Sequence, residues 1–166
     1  EPERGGIEVH RPGQVVEGTV AVRATAQVPV IVGRRPRSVV VPHRLPGTGR
    51  EVHAICVHLG LREVHRQQQL KLLAQRVAEI PGEAPLIVAG DFNDWRQQAD
   101  LSHSGLQEVF VQAHGKPART FPARLPLLAL DRIYVRNLKV HQPQVLTTRP
   151  WSHLADHAPL SVEIEL

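Results

Sequence analysis

Apolar positions along the chain repeat with two periods, and the changes of period mark where elements begin and end. Residues 51–59, EVHAICVHL, put Val52, Ala54, Cys56 and His58 on one face of an extended segment. That two-residue alternation is a strand, opened by the turn PGTG at 46–49. Over 62–79 the spacing lengthens: Val64, Leu70, Leu73, Val77 and Ile80 fall near one side amid Arg and Gln, which predicts a helix stopped by Pro81-Gly82. Residues 85–90 hold the unbroken apolar run LIVA and end on Gly90, as a buried strand does. A short helix near 104–112, a Pro-rich loop at 117–127, and strands at 130–135 and 138–146 around a turn at Arg136-Asn137 follow. The last strand, 159–165, alternates Leu160, Val162 and Ile164 with Ser161, Glu163 and Glu165. Strand, helix, strand and then further strands predict the α/β class, with a mixed sheet covered by a helix.

The first 44 residues differ in kind. They hold eleven Val but no aromatic residue, Asp, Lys or Leu, and strand-like runs only at 28–32 and 38–41. Without aromatic anchors a self-sufficient core is not expected there. The chain therefore divides into an atypical basic segment, 1–44, flexible or poorly specified with two short strands, and a well-punctuated domain, 45–166. Charge follows the same line: residues 1–50 carry eight Lys or Arg against four Glu, and residues 51–166 carry twelve against twelve. A basic arm can bind a nucleic-acid backbone, although a merely solvated or disordered basic segment is the commoner reading. No stretch approaches the ~20 apolar residues of a membrane span, no signal peptide opens the chain, and the single Cys56 excludes an internal disulfide. A cytoplasmic location is expected. Glu1 in place of a starting Met suggests a fragment or trimmed product.

Candidate chemistry lies at strand ends. In GDFND, Asp91 and Asn93 are two residues apart on extended backbone, so both are expected to point one way with Phe92 packed opposite. A carboxylate and an amide suit a hard cation, although the same letters also make a good turn. Asp156-His157 precede the last strand, and His157 becomes a competent base only if a carboxylate fixes its tautomer. Asp131, opening LDRIYV, is the obvious orienter, with a strand-initiating cap as its other reading. His58 ends its strand, where a lone His is usually structural or solvent-facing. The remaining histidines form no zinc pattern, and no Walker loop or GxSxG elbow is present.

The order of these pieces, strand–His, helix, strand–GDFN, strand–LD and DHAPL, resembles the endonuclease/exonuclease/phosphatase superfamily of deoxyribonuclease I, apurinic endonucleases, inositol polyphosphate 5-phosphatases and neutral sphingomyelinases. The resemblance covers about residues 50–166, the C-terminal part of such a domain, and is greatest to small bacterial members of unassigned substrate. It implies a partial deoxyribonuclease I-like α/β sandwich, about one mixed-sheet layer with covering helices. It also implies a metal-dependent phosphoester hydrolase of nuclease or phosphatase type using Mg2+ or Mn2+. On that resemblance Asp91, Asn93 and Asp156 are metal-site residues, and Asp91 and Asn93 also position the attacking water. His157 is the general base oriented by Asp131, and His58 stabilises the phosphate or protonates the leaving group. Arg66 and Gln69 match an Arg-x-x-Gln spacing that reads as packing and helix anchoring.

The sequence departs from the family pattern in three ways. The early Asn and the Glu metal ligand of a Gln-Glu-Val element are not in their usual place; Gln107-Glu108-Val109 spells the element after GDFN and reads as a helical surface segment, while Glu8 lies too near His58. Only about one of two facing layers is supplied. Ala155 stands where Ser or Thr is usual. The expected partner is a phosphoester substrate, nucleic acid being one candidate. The alternative is a truncated, catalytically incomplete relative acting at most as a binding or interaction module.

Overall fold

The computed structural model describes residues 51–165 in full and residues 20–24 and 39–44 as backbone. Its elements run β1 (Val20–Ala24), β2 (Val39–Arg44), β3 (Glu51–His58), α1 (Glu63–Ala78), β4 (Leu86–Asp91), β5 (Gln107–Glu108), α2 (Val109–His114), β6 (Asp131–Arg136), β7 (Lys139–Val145) and β8 (Leu160–Glu165). The run expected at 28–32 lies outside the described residues, and β1 is a strand the apolar pattern did not mark.

The expected mixed sheet is five-stranded, in the order β2-β3-β4-β6-β5, with β3 and β4 parallel and the other neighbours antiparallel. Beside it stands a second sheet, β1-β8-β7, entirely antiparallel. The chain thus supplies part of both layers of the sandwich, because β7 and β8 leave the mixed sheet and take β1 as a third strand.

Two cores explain the apolar patterns. Ile87 and Ala89 of β4, Ile133 and Val135 of β6, and Leu160, Val162 and Ile164 of β8 meet between the sheets. Leu86 and Val88, from the opposite face of β4, pack with Leu73 and Val77 of α1. LIVA is continuous because both faces of β4 are covered, whereas β8 alternates because only one of its faces is. Each such fully buried aliphatic side chain contributes roughly 1.5–3 kcal/mol relative to exposure. The expected single apolar face of β3 is likewise doubled: Val52 joins the inter-sheet core and Ile55 the helix-facing one.

α1 has no side-chain N-cap. Gln69 Oε1 instead accepts from Gly60 N at 2.7 Å, and buried Arg66 donates to Leu61 O at 3.0 Å, the anchoring expected of that pair. The helix expected near 104–112 starts later, at Val109. Gly105, left-handed at φ 71°, ends a 3₁₀ turn at Ser102–Ser104. Gln107 and Glu108 then pair with β6. Gln107-Glu108-Val109 is therefore a strand-to-helix junction and not a helical surface segment: Glu108 caps α2 through Val111 N, and Val109 is buried.

Candidate active site

Register across three strands aligns three of the predicted side chains. His58 is the Cα partner of Asp91, and Asp91 is the partner of Asp131. Because β3 and β4 are parallel while β6 runs against them, the last residues of two strands and the first of the third share one end of the sheet. Gly90 permits this close pairing: its φ is +140°, and a Cβ there would lie 1.9 Å from Val57 O. No other residue fits without separating β3 from β4.

Asp91 is buried, with Oδ1 accepting from Asn93 N at 2.7 Å and Oδ2 at 3.6 Å from His58 Nε2. Burial first, and the facing Asp131 carboxylate second, push the Asp91 carboxyl above the usual carboxylate range. Asp131 is buried too. Its Oδ2 accepts from Thr120 Oγ1 and lies 2.7 Å from His157 Nδ1. With Nδ1–H directed at that oxygen, His157 presents Nε2 as its free ring nitrogen. The hydrogen bond that His157 donates to Asp131 is the main reason the imidazole is held above its ordinary value. Phe121 packs against the imidazole, ring centroids 5.1 Å apart. One ligand atom each from Asp91, Asp131 and His157 lies within 4.8 Å of the others.

Two predicted residues are placed differently from the rest. β4 ends at Asp91, so the alternation argument stops there: Asn93 turns to φ 49° and its side-chain amide donates to Leu59 O at 2.7 Å. Asn93 is buried beneath the loop after β3, while Phe92 packs on Tyr134 as expected, at 5.3 Å. Asp156 lies in a bend, exposed and outside the Asp91–Asp131–His157 group, although close enough to raise the His157 pKa. Its backbone carbonyl is fixed by Ala123 N at 2.7 Å.

Sequence reasoning passed over two residues. Thr120, fully buried, bonds Asp131 with its hydroxyl, and its carbonyl accepts from Ala158 N at 2.7 Å, beside His157. Nothing in the Pro-rich loop distinguishes it from other loop threonines. Arg132, also buried, donates to Ala129 O at 2.7 Å, to Asp131 O at 3.3 Å and to Asp94 O at 3.4 Å, tying the end of β4 to the start of β6. A charged residue inside an apolar strand was the available signal for it.

The Endonuclease/Exonuclease/phosphatase family model matches residues 10–157. Escherichia coli (strain K12) "Uncharacterized protein YbhP" is 58% identical over 124 residues, which are 73% of this chain and 49% of that protein. A Vibrio cholerae "UPF0294 protein" is 32% identical over 144 residues, 80% of this chain and 47% of its own length. The chain thus spans about half the length of these relatives. Among solved structures, an endonuclease/exonuclease/phosphatase family protein from Bacteroides thetaiotaomicron superposes with TM-score 0.59 at 25% identity, over 73% of this chain and 52% of that one. D. rerio TDP2 complexed with single strand DNA product has TM-score 0.61 at 15% identity, over 90% and 69%, which concerns the fold alone.

Proposed function

Because this chain belongs to the endonuclease/exonuclease/phosphatase family, we propose that it hydrolyses phosphoester bonds with the help of a divalent cation, Mg2+ or Mn2+. The observation that carries the reading is the convergence of Asp91, Asp131 and His157, with His157 oriented by the carboxylate at 2.7 Å. Burial first, and the facing Asp131 second, disfavour the charged form of Asp91, and a cation suits that pair of carboxylates. Asp91 would hold it, with Asn93 through Oδ1 and Asp156 from the loop before β8 completing the set. Asp131 already gives one oxygen to Thr120 and His157 and serves better as the orienter. When bound, the cation neutralises phosphoryl charge and stabilises the leaving oxygen.

The side chains do the rest. His157 Nε2 takes a proton from a water placed beside Asp91 and Asn93, and Asp131 stabilises the imidazolium that results. His58, exposed at the strand mouth near Asp91, stabilises the phosphate or returns a proton to the leaving group. The substrate is a phosphoester; nucleic acid is one candidate, since one relative by fold, TDP2, is complexed with a DNA product. Purified protein should cleave bis-p-nitrophenyl phosphate, DNA or RNA in a Mg2+- or Mn2+-dependent manner. Equal rates with and without the ion, unchanged in Asp91→Ala, would argue against the reading.

A second reading has its own observation. The chain spans 49% of its E. coli relative, and the family's Glu ligand has no counterpart in its usual order. A catalytically incomplete module would bind Mn2+ weakly and turn over nothing, which calorimetric titration with Mn2+ distinguishes.

A further inference from the structure

The most exposed apolar side chains gather at one end of this molecule, while the less exposed Leu72 (45%) and Val111 (42%) lie on the helices. Among the described residues, all six large apolar side chains that are more than half exposed sit at the end of the sandwich that carries Asp91, Asp131 and His157. Leu61 (80%) and Val64 follow β3, Trp95 follows β4, Leu125 (66%) and Leu127 precede β6, and Leu154 (61%) precedes β8. These loops are joined to one another around the site. Asn93 bonds Leu59 O, Arg132 bonds Asp94 O, Ala123 N bonds Asp156 O, and Ala158 N bonds Thr120 O. The exposed charged side chains of loops 59–62, 92–101, 115–130 and 146–159 are Arg62, Arg96, Lys116, Arg119, Arg124 and Arg149 against the two acids Asp100 and Asp156. The mouth of the site is therefore both apolar and strongly basic, although the chain beyond residue 50 is neutral by count.

We propose that this end docks on the surface of an anionic phospholipid bilayer, so that the site meets its phosphoester at the level of the lipid head groups. Leucines with a tryptophan partition into the boundary between head groups and acyl chains, and the surrounding arginines face the anionic phosphates. Aliphatic side chains add nothing to a phosphate backbone, and a single-strand groove would present a series of exposed aromatic faces for base stacking, where this mouth has one exposed tryptophan, Trp95, covered by Arg96 at 4.6 Å, with Trp151 half-buried and Phe121 packed on His157. A second copy of the chain is disfavoured because the pairing would set one basic rim against another. Among the described residues no helix is long and apolar enough to cross a membrane, and surface docking needs none.

The inference rests on the phosphoester reading only for what reaches the site; docking itself is read without turnover. The 166-residue chain is tested by flotation with vesicles of phosphatidylcholine alone and of phosphatidylcholine rich in phosphatidylglycerol. Wild type should bind the anionic vesicles at least about tenfold more tightly than the neutral ones. Leu125→Ser/Leu127→Ser and Arg119→Gln/Arg124→Gln should each weaken that binding about tenfold. Leu154→Ser, on a separate loop, should weaken it in the same direction should the paired variant misfold. Leucine variants that bind like wild type, displacement by a single-stranded oligonucleotide, equal binding to both vesicles, or leucine-dependent self-association in sedimentation would each overturn it. Cleavage of bis-p-nitrophenyl phosphate without vesicle binding defeats docking alone, and vesicle binding without any turnover defeats the hydrolytic reading alone.

Discussion

The two ends of the mixed sheet handle charge in opposite ways. At one end Arg136, closing β6 opposite Leu86, donates to Ile80 O at 3.2 Å, Pro81 O at 2.9 Å and Ser104 O at 3.4 Å, while neighbouring Asn137 donates to Gly82 O at 2.7 Å. Its terminal nitrogens bond backbone carbonyls and hold the loop after α1 and the 3₁₀ turn at Ser102–Ser104 in place. At the other end Asp91 and Asp131 stand opposite each other as buried carboxylates, sharing between them one backbone amide, one hydroxyl and one imidazole. Both ends are produced by the same strand register. The difference lies in charge: at the far end one guanidinium commits its terminal nitrogens to carbonyls and leaves only Nε without a partner, whereas at the site two like-charged carboxylates face each other and suit a cation.

The sharpest break of this contrast is to remove the site's own groups. His157→Gln should lower the rate of metal-dependent phosphodiester cleavage by about 10²–10⁴, the usual range for a general base. Asp131→Asn should fall in a similar range by releasing the imidazole, and Thr120→Val should fall less, because it removes only one of the bonds that hold Asp131. Parallel thermal melts must show each variant folded; wild-type rates in His157→Gln would end the assignment. Gly90→Ala attacks the register on which both ends depend. Its left-handed backbone alone costs roughly 1–3 kcal/mol, and the clash with Val57 O adds to that, so urea unfolding should show a large drop in stability together with lost activity. A melt unchanged by Gly90→Ala would mean that β3 and β4 do not pair as described.

Arg136→Met tests the opposite end. Losing charge-assisted bonds to three carbonyls should cost about 1.5–3 kcal/mol in stability, with turnover of the folded protein unaffected. A change in kcat at saturating metal would show that the two ends are not separable. The smallest effect is the pH dependence of the metal-free protein. The Asp131 bond raises His157 above its ordinary value near 6.5 in the folded state. The stabilisation from its protonated form is therefore complete below that unfolded value and is lost as pH rises through the folded one. Denaturation series should show wild type losing this increment over that window and His157→Gln lacking it.

Much of this was legible from residue patterns, and the gaps have physical causes. β3, α1, β4, β6, β7 and β8 follow from apolar period and punctuation, because burial on one or both faces dictates which positions are apolar. GDFN, LDR and DHAPL mark the strand ends and loop that converge. The position of Asn93 was misjudged because alternation holds only while the backbone stays extended, and β4 ends two residues sooner. The start of α2 was misjudged because Gln107 and Glu108 prefer a partner strand that local propensity does not record. Thr120 stayed hidden because its role is a single hydrogen bond across eleven residues of loop.

Element types, the order of the chemical residues and the family all lie in the one-dimensional pattern, since side-chain chemistry and periodicity are local properties. Which carboxylate faces which, that His157 takes Asp131 and leaves Asp156 outside, and that apolar and basic side chains gather at one mouth were decided only by folding. Those are distances between residues far apart in the chain, set by strand register and by the packing of one sheet against the other.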